Sequence, residues 1–288
     1  MKKIVIAGCG YIGSRVARLW QDQGAEVLCL VRSPEKAAIL AGDGYAARAV
    51  SLDDPAAISL PELAGAVLYY LVPPPGGGIV DTRARNFIEA IKNSGRPAKI
   101  IYMSATSVYS ETGGGPVTEK SPVEPQTSMG KRRLDAERAF LGYGEAAGVP
   151  VIILRVSGIY GPGRLPLMQV SQSQPLLREE ESGPSNRIHA DDLAAVCLAA
   201  ADRGQAGEIF NVSDGHPSSM TGYFNACADL LGYPRQPQVT LAEARQVMSP
   251  LMLSYVTESR VVDSSRMLER LNITLKYPTM REGLPACR

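Results

Sequence analysis

Cysteine is scarce in this chain of 288 residues, and what there is does not pair. Cys9, Cys29, Cys197, Cys227 and Cys287 are odd in number and scattered, with no CxxC spacing. That argues against a disulfide framework and a structural zinc site, and it fits a reducing compartment. Cys9 and Cys29, in strand-like or turn contexts, read as small buried thiols. No cluster of metal-ligating residues stands out. Charge of one sign is missing too: thirty Lys+Arg against twenty-nine Asp+Glu leave a formal net charge of +1. No general field draws the chain to nucleic acid or an anionic membrane, although a local phosphate site stays open. Apolar runs of about eighteen residues do not occur, so no membrane-crossing helix is expected. After Met1-Lys2-Lys3 the apolar stretch stops at Gly8, too short for a secretory leader. The expectation is a soluble cytoplasmic protein with no nucleic-acid or membrane partner.

What is present is globular. Hydrophobic residues make up 45% and charged residues 20%, which argues against a disordered or fibrous chain. A chain of this length buries roughly 73% of its unfolded surface, enough for one large core with a smaller lobe attached. Short, mostly β-branched runs at residues 4–7, 27–31, 66–72, 99–103 and 151–156 suit buried parallel strands. Helical patterns lie between them at 12–23, 81–93 and 129–147. Such alternation predicts an α/β fold, a doubly wound parallel sheet with helices on both faces. The texture changes after Gly161-Pro162-Gly163. Residues 169–186 are polar, with Glu179, Glu180 and Glu181 in a row, and predict an irregular, exposed excursion. Residues 208–212 read as one more strand and 218–231 as a helix. The expected domains are a doubly wound unit over residues 1–165, to which 186–213 return, and a smaller mixed C-terminal lobe over 166–288.

The first strand runs into Gly8-Cys9-Gly10-Tyr11-Ile12-Gly13, a G-x-G-x-x-G between a strand and a helix. Gly8 allows the tight turn, Gly10 lets the backbone approach a pyrophosphate, and Gly13 permits close helix–strand packing. The helix that follows offers free N–H groups and a partial positive charge. Gly8, Gly10, Tyr11, Ile12 and Gly13 are therefore candidate dinucleotide ligands. The second strand ends at Val31-Arg32-Ser33. An acid there would take the ribose 2′-hydroxyl, whereas an arginine accommodates a 2′-phosphate. Arg32 and Ser33 thus favour NADP, with NAD the alternative.

Further segments carry a resemblance. They are Ser104-Ala105-Thr106-Ser107-Val108-Tyr109, Leu154-Arg155 with Ile159-Tyr160-Gly161-Pro162-Gly163, Arg187-Ile188-His189-Ala190-Asp191-Asp192, Phe210-Asn211-Val212-Ser213-Asp214, and Arg281-Glu282-Gly283-Leu284. With the glycine loop they resemble the extended and atypical branches of the short-chain dehydrogenase/reductase superfamily, the NAD(P)-dependent epimerase/dehydratase group. The resemblance spans nearly the whole chain. It implies a Rossmann domain with a substrate lobe, Val72, Pro73 and Ser104 beside the cofactor, and Arg164 near a small-molecule substrate. It also implies a homodimer through the helices at 81–93 and 129–147.

In proteins of that group a Tyr with a Lys four residues later moves the proton at the reacting oxygen, and a Ser or Thr hydrogen-bonds the same atom. Aligned on Leu134-x-Ala136-Glu137, Met129 stands at the Tyr position and Arg133 at the Lys position; anchored on Lys131 instead, Thr127 takes the Tyr place. Ala105 falls where the Ser or Thr would be. Met129 cannot transfer a proton, and Arg133 does not give up its charge, although it can hold ribose hydroxyls. The remaining catalytic candidates are Thr106, Tyr109 and Arg133. Gly158 stands where similar sugar-nucleotide epimerases often carry Asn.

Other conspicuous side chains read as structural. His189 caps or braces the next helix, Tyr160 packs, His216 is exposed, and Arg83 and Arg85 solvate a helix face. The run from Pro73 to Gly78 either shapes a loop beside the adenosine half of the cofactor or is a plain linker. Two functions stay open: an NAD(P)-dependent oxidoreductase or epimerase-like enzyme acting on a hydroxyl or carbonyl compound, sugar-nucleotide-like or otherwise, and a catalytically silent NADP(H)-binding sensor.

Overall fold

Seven runs of the chain form one parallel sheet in the computed structural model, which describes residues 1–54, 58–92, 94–111, 113–257 and 259–288. They are β1 (Lys3–Ala7), β2 (Glu26–Val31), β3 (Ala46–Ala49), β4 (Val67–Tyr70), β5 (Lys99–Ala105), β6 (Val151–Val156) and β7 (Ile209–Val212). Their order is β3-β2-β1-β4-β5-β6-β7, with every neighbouring pair parallel. This is the expected doubly wound Rossmann sheet. The winding reverses between β1 and β4, and a crevice opens beyond the carboxyl ends of the strands at such a switch point.

Helices cover both faces. On one side Val16, Ala17 and Trp20 of α1 (Tyr11–Asp22) pack with Leu193, Val196 and Cys197 of the helix Ala190–Arg203. Trp20 Nε1 donates to the Tyr69 hydroxyl at 2.9 Å, and that hydroxyl donates to the Cys197 carbonyl at 3.1 Å, so this buried polar group is satisfied. On the other side Phe87, Ile88 and Ile91 of α3 (Thr82–Lys92) pack with Phe140 and Tyr143 of α4 (Ser128–Ala147). Asp81 caps α3 by accepting from the Ala84 N–H at 3.0 Å; Asn93, the expected last residue of that helix, lies outside the described residues. The N-cap of α4 is Thr127, whose Oγ1 accepts from the Gly130 N–H at 3.1 Å.

Two elements escape a sequence reading. α2 (Pro34–Gly42) buries only Leu40, and β3 is Ala-Ala-Arg-Ala at a sheet edge with no fully buried residue. The expected irregular excursion at 169–186 is corrected in part. It holds the short helix Leu167–Ser171, the strand Leu176–Leu177 paired with Gln238–Val239, and Pro184–Ser185 paired antiparallel with Ser218–Ser219. Leu176 and Leu177 are buried, which anchors the segment, while Glu179–Glu181 stay exposed as expected. Leu176 packs with Tyr223 and Phe224 of the helix Met220–Leu231 in a separate cluster of the C-terminal part. Among the described residues no helix is long and apolar enough to cross a membrane.

Candidate active site

β1 ends at Ala7 and the chain turns at Gly8, φ +90°, into α1. A β-carbon on Gly8 would lie 2.9 Å from the Leu71 carbonyl carbon and the Val72 nitrogen; one on Gly13 would lie 2.7 Å from the Gly8 carbonyl oxygen. Both places demand glycine. At Gly10, by contrast, nothing lies within 4 Å of where a β-carbon would be. Gly10 is the N-cap of α1, no side chain caps the helix, and no acid stands in its first turn. The first amides of α1 are thus left to a ligand, and the helix dipole adds positive charge. A pyrophosphate fits this cradle.

From the turn runs a cleft of about 540 Å³, lined by Gly8, Gly10, Tyr11, Ile12 and Gly13, then by Arg32, Ser33 and Lys36, and across from them by Pro73, Met103, Arg133 and Arg164. Its four charged lining residues, Arg32, Lys36, Arg133 and Arg164, are all cations. A second pocket of about 330 Å³ shares Gly8, Arg32 and Pro73 with the cleft and continues between Leu30, Leu52 and Val72. The two are neighbouring parts of one site. Asp53, on the wall of the second pocket, is already taken: Arg83 Nε and Nη2 donate to its two oxygens at 2.8 and 3.2 Å. Those hydrogen bonds hold its carboxyl below the usual carboxylate range. Arg32 is exposed, and no hydrogen bond or ion pair of its guanidinium is found among the described residues.

Lys36 is the charged residue of the cleft lining that sequence reasoning missed. Ser33 caps α2 by accepting from the Lys36 N–H at 3.3 Å, and this turn carries the lysine back beside Arg32. The signal was present only as Ser33-Pro34, a helix start.

At the other end Tyr11 lies between two guanidinium groups, Arg15 at 4.1 Å and Arg164 at 5.2 Å from its ring centre. Its hydroxyl donates to the Pro162 carbonyl at 3.0 Å, and Arg15 Nε donates to Asp191 Oδ1 at 2.9 Å. The loop bearing Arg164 is thereby fastened to the glycine turn. Arg133, from α4, donates to the Met103 carbonyl at 2.9 Å, which seats it in the cleft wall.

Of the expected site residues, Ser104, Thr106 and Tyr109 do not line the cleft. Tyr109 as a proton donor is corrected. Its side chain is 1% exposed; the hydroxyl donates to Asn211 Oδ1 at 2.5 Å and accepts from Arg155 Nη1 at 3.2 Å. Burial also pushes its pKa up. It ties the segment after β5 to Arg155 of β6 and Asn211 of β7. Ser104 is buried, with no hydrogen-bond partner for its Oγ among the described residues, and the Thr106 carbonyl accepts from Arg260 Nη1 at 3.0 Å. Thr127 Oγ1 accepts from the Gly130 N–H at the α4 cap, and Met129 is 40% exposed. Arg83 and Arg85 do not merely solvate a face: they pair with Asp53 and Asp135. His189 is the N-cap of its helix, with Nδ1 accepting from the Asp191 N–H at 3.2 Å, and burial lowers its pKa.

Residues 82–213 match the model of the NAD dependent epimerase/dehydratase family. The chain is 27% identical to protein YeeZ of Escherichia coli K12 over 96% of its own length and 97% of that protein. Among solved structures, a functionally unknown conserved protein from Silicibacter pomeroyi DSS is similar with a TM-score of 0.80 and 25% identity, over 100% of this chain and 98% of that one. UDP-glucuronic acid 4-epimerase from Bacillus cereus, solved in complex with NAD, is similar with a TM-score of 0.77 at 19% identity, over 99% and 96% of the two chains. That last likeness is one of fold.

Proposed function

We propose that this chain is a member of the epimerase/dehydratase family that binds a pyridine dinucleotide, NADP in preference to NAD, and acts on a hydroxyl or carbonyl group of a small molecule in the adjoining cleft. One observation carries the reading: uncapped amides of α1 open into a cleft whose charged lining is entirely cationic. In this reading the first amides of α1 hold the pyrophosphate, and the apolar pocket at Leu52 and Val72 takes the adenine. Arg32 and Lys36, beside Ser33, meet the 2′-phosphate. Arg133 holds ribose hydroxyls, and Arg164 meets an anionic substrate of the sugar-nucleotide kind. The dinucleotide, when bound, supplies hydride transfer at its nicotinamide. Calorimetry with NAD, NADH, NADP and NADPH tests the phosphate preference. NADPH should bind about tenfold more tightly than NADH, the worth of one charge-assisted pair, and Arg32→Ala should erase the difference. Equal affinities for the two would overturn the preference.

A specific observation favours a second reading, a sensor that binds the dinucleotide without turnover. Ala105, Met129 and Arg133 stand where the family's hydroxyl, phenol and ammonium are expected, and Tyr109 is locked away from the cleft. The only phenol lining the cleft among the described residues is Tyr11, tied to Pro162. Following NADPH absorbance against aldehydes, ketones and nucleotide sugars separates the two readings. Turnover supports the enzyme; tight binding without turnover, gained on Met129→Tyr with Arg133→Lys, supports the sensor. We also infer a homodimer through α3 and α4, to be read as twice the chain mass in sedimentation.

A further inference from the structure

One cysteine sits inside the glycine turn and another beside it on β2, and the proposed dinucleotide binding uses neither. Cys9 stands between the first two glycines; Cys29 is on β2, paired in the sheet with Ile6 of β1. Cys9 Sγ donates to Cys29 Sγ at 3.0 Å, and the two residues are 1% and 0% exposed. The backbone holds them there, since the N–H groups of Gly8 and Cys9 both donate to the Leu30 carbonyl, at 3.0 and 3.2 Å. No other two of the five free cysteines make a sulfur–sulfur hydrogen bond among the described residues.

We propose that Cys9 and Cys29 form a reversible disulfide that deforms the pyrophosphate turn, so that dinucleotide affinity depends on the redox state of this pair. A disulfide bond is about 2.05 Å long, so the sulfurs must close by roughly 1 Å. The turn can absorb that movement on one side only. Gly8 is packed against Leu71 and Val72, and Gly13 against Gly8, whereas the space around Gly10 is open. The displacement therefore falls on the Gly10 side, where the α1 amides begin. The link between affinity and redox state rests on the function proposed above; formation of the bond does not.

We assign Cys9 as the attacking sulfur because its residue belongs to the turn that borders the cleft, although its side chain is buried beside Cys29. Once Cys9 is ionised the donor role passes to the Cys29 thiol. That hydrogen bond, with help from Lys36, lowers the Cys9 pKa against the effect of burial, while Cys29 is pushed up. With hydrogen peroxide as oxidant, the Cys9 thiolate attacks one oxygen. An S–O bond forms, the O–O bond breaks, and the departing hydroxide is protonated to water. Cys29 then attacks that sulfur, the S–O bond breaks, and a second water leaves with the Cys29 proton. The two thiols lose two electrons and two protons, and the peroxide is reduced to two waters. A dithiol reductant reverses the bond.

The test treats the full chain with hydrogen peroxide, maps thiols by mass spectrometry of unreduced peptides, and measures NADPH affinity before and after. The peptides bearing Cys9 and Cys29 should appear joined, short of two hydrogen atoms, and NADPH affinity should fall about tenfold and return with dithiothreitol. By reciprocity, saturating NADPH should raise the reduction potential of the pair by about 30 mV for that tenfold change. The double variant Cys9→Ala with Cys29→Ala, which has no thiol at the turn to oxidise, should bind NADPH equally before and after peroxide. Recovery of both thiols free, or of Cys9 as an unjoined sulfinic acid, would overturn the proposal. So would a joined pair with unchanged affinity. The bond is read without any dinucleotide, so a reduced chain that binds none counts against the proposed function and leaves the crosslink result standing.

Discussion

Gly8 and Gly10 are two residues apart and chemically identical, yet the fold uses them differently. Gly8 is glycine because the backbone of Leu71 and Val72 fills the place of a side chain; Gly10 is glycine although the fold leaves that place open. Gly10 is the N-cap of α1 and lines the cleft, so in the proposed function this open place faces the pyrophosphate. Gly10→Ala should shift stability by less than about 1 kcal/mol, yet weaken NADPH binding by at least about tenfold, because the methyl group occupies pyrophosphate space. Thermal melting and calorimetry on the same sample check this, and a variant that melts like the wild type and still binds NADPH equally well contradicts it. The turn at Gly8 and the close packing at Gly13 were legible in the sequence because they are local. Lys36 was not, since only the Ser33 cap brings it to Arg32. Tyr109 misled for the converse reason: its motif is local, but its hydroxyl is claimed by Arg155 and Asn211, far along the chain.

Asp214 gives a pH signature at the same scale. Its carboxyl is 3% exposed, with Oδ2 unpartnered among the described residues, and burial pushes its pKa up to about 6 from 3.8. Between those two values the folded chain holds a proton that the unfolded chain has released. The group's stabilising contribution is therefore complete below about pH 4 and is lost as pH rises through about 6, by about 3 kcal/mol at most. Asp214→Asn keeps an oxygen for the His216 N–H, which Oδ1 accepts at 2.9 Å, and never ionises. It should be more stable than the wild type at pH 7.5 by about 1–3 kcal/mol, with the gap closing toward pH 4. Urea unfolding across that range decides it; a gap that ignores pH would show that Asp214 does not titrate as described.

Among the elements, α4 has most to do with the site, for it carries Arg133 and Met129. A buried ion pair ties it to the sheet: Arg155 of β6 donates to both oxygens of Glu137, at 2.8 and 3.1 Å, with side chains 4% and 2% exposed. Arg155→Met leaves Glu137 buried and unpaired and should cost about 3–5 kcal/mol, whereas Arg155→Met with Glu137→Leu should recover most of that loss. Denaturant unfolding of both variants measures it, and a single variant within about 1 kcal/mol of the wild type would place the pair with ordinary surface bridges. At this scale the sequence read well where a strand or helix buries a full face, as in β1, β5, β6 and α4. It failed at α2 and β3, whose small side chains bury little, and at Leu176–Leu177, two apolar residues in a polar stretch that the fold turns into an anchor.

Across the whole molecule the net charge of +1 says little, and the distribution says much. Four cations gather where the sheet reverses its winding, beside an uncapped helix end. The doubly wound sheet was legible from the alternation of strands and helices. The convergence of Arg32, Lys36, Arg133 and Arg164 was not, because a helix cap brings Lys36 to Arg32 and the fold brings Arg133 and Arg164 to both from distant parts of the chain. The central claim is that this convergence holds a dinucleotide, and a crystal structure grown with NADPH tests it most directly. The account predicts the pyrophosphate on the first amides of α1, the adenine beside Leu52 and Val72, and the 2′-phosphate between Arg32 and Lys36. A dinucleotide bound elsewhere, or none bound at saturating concentration, would contradict it.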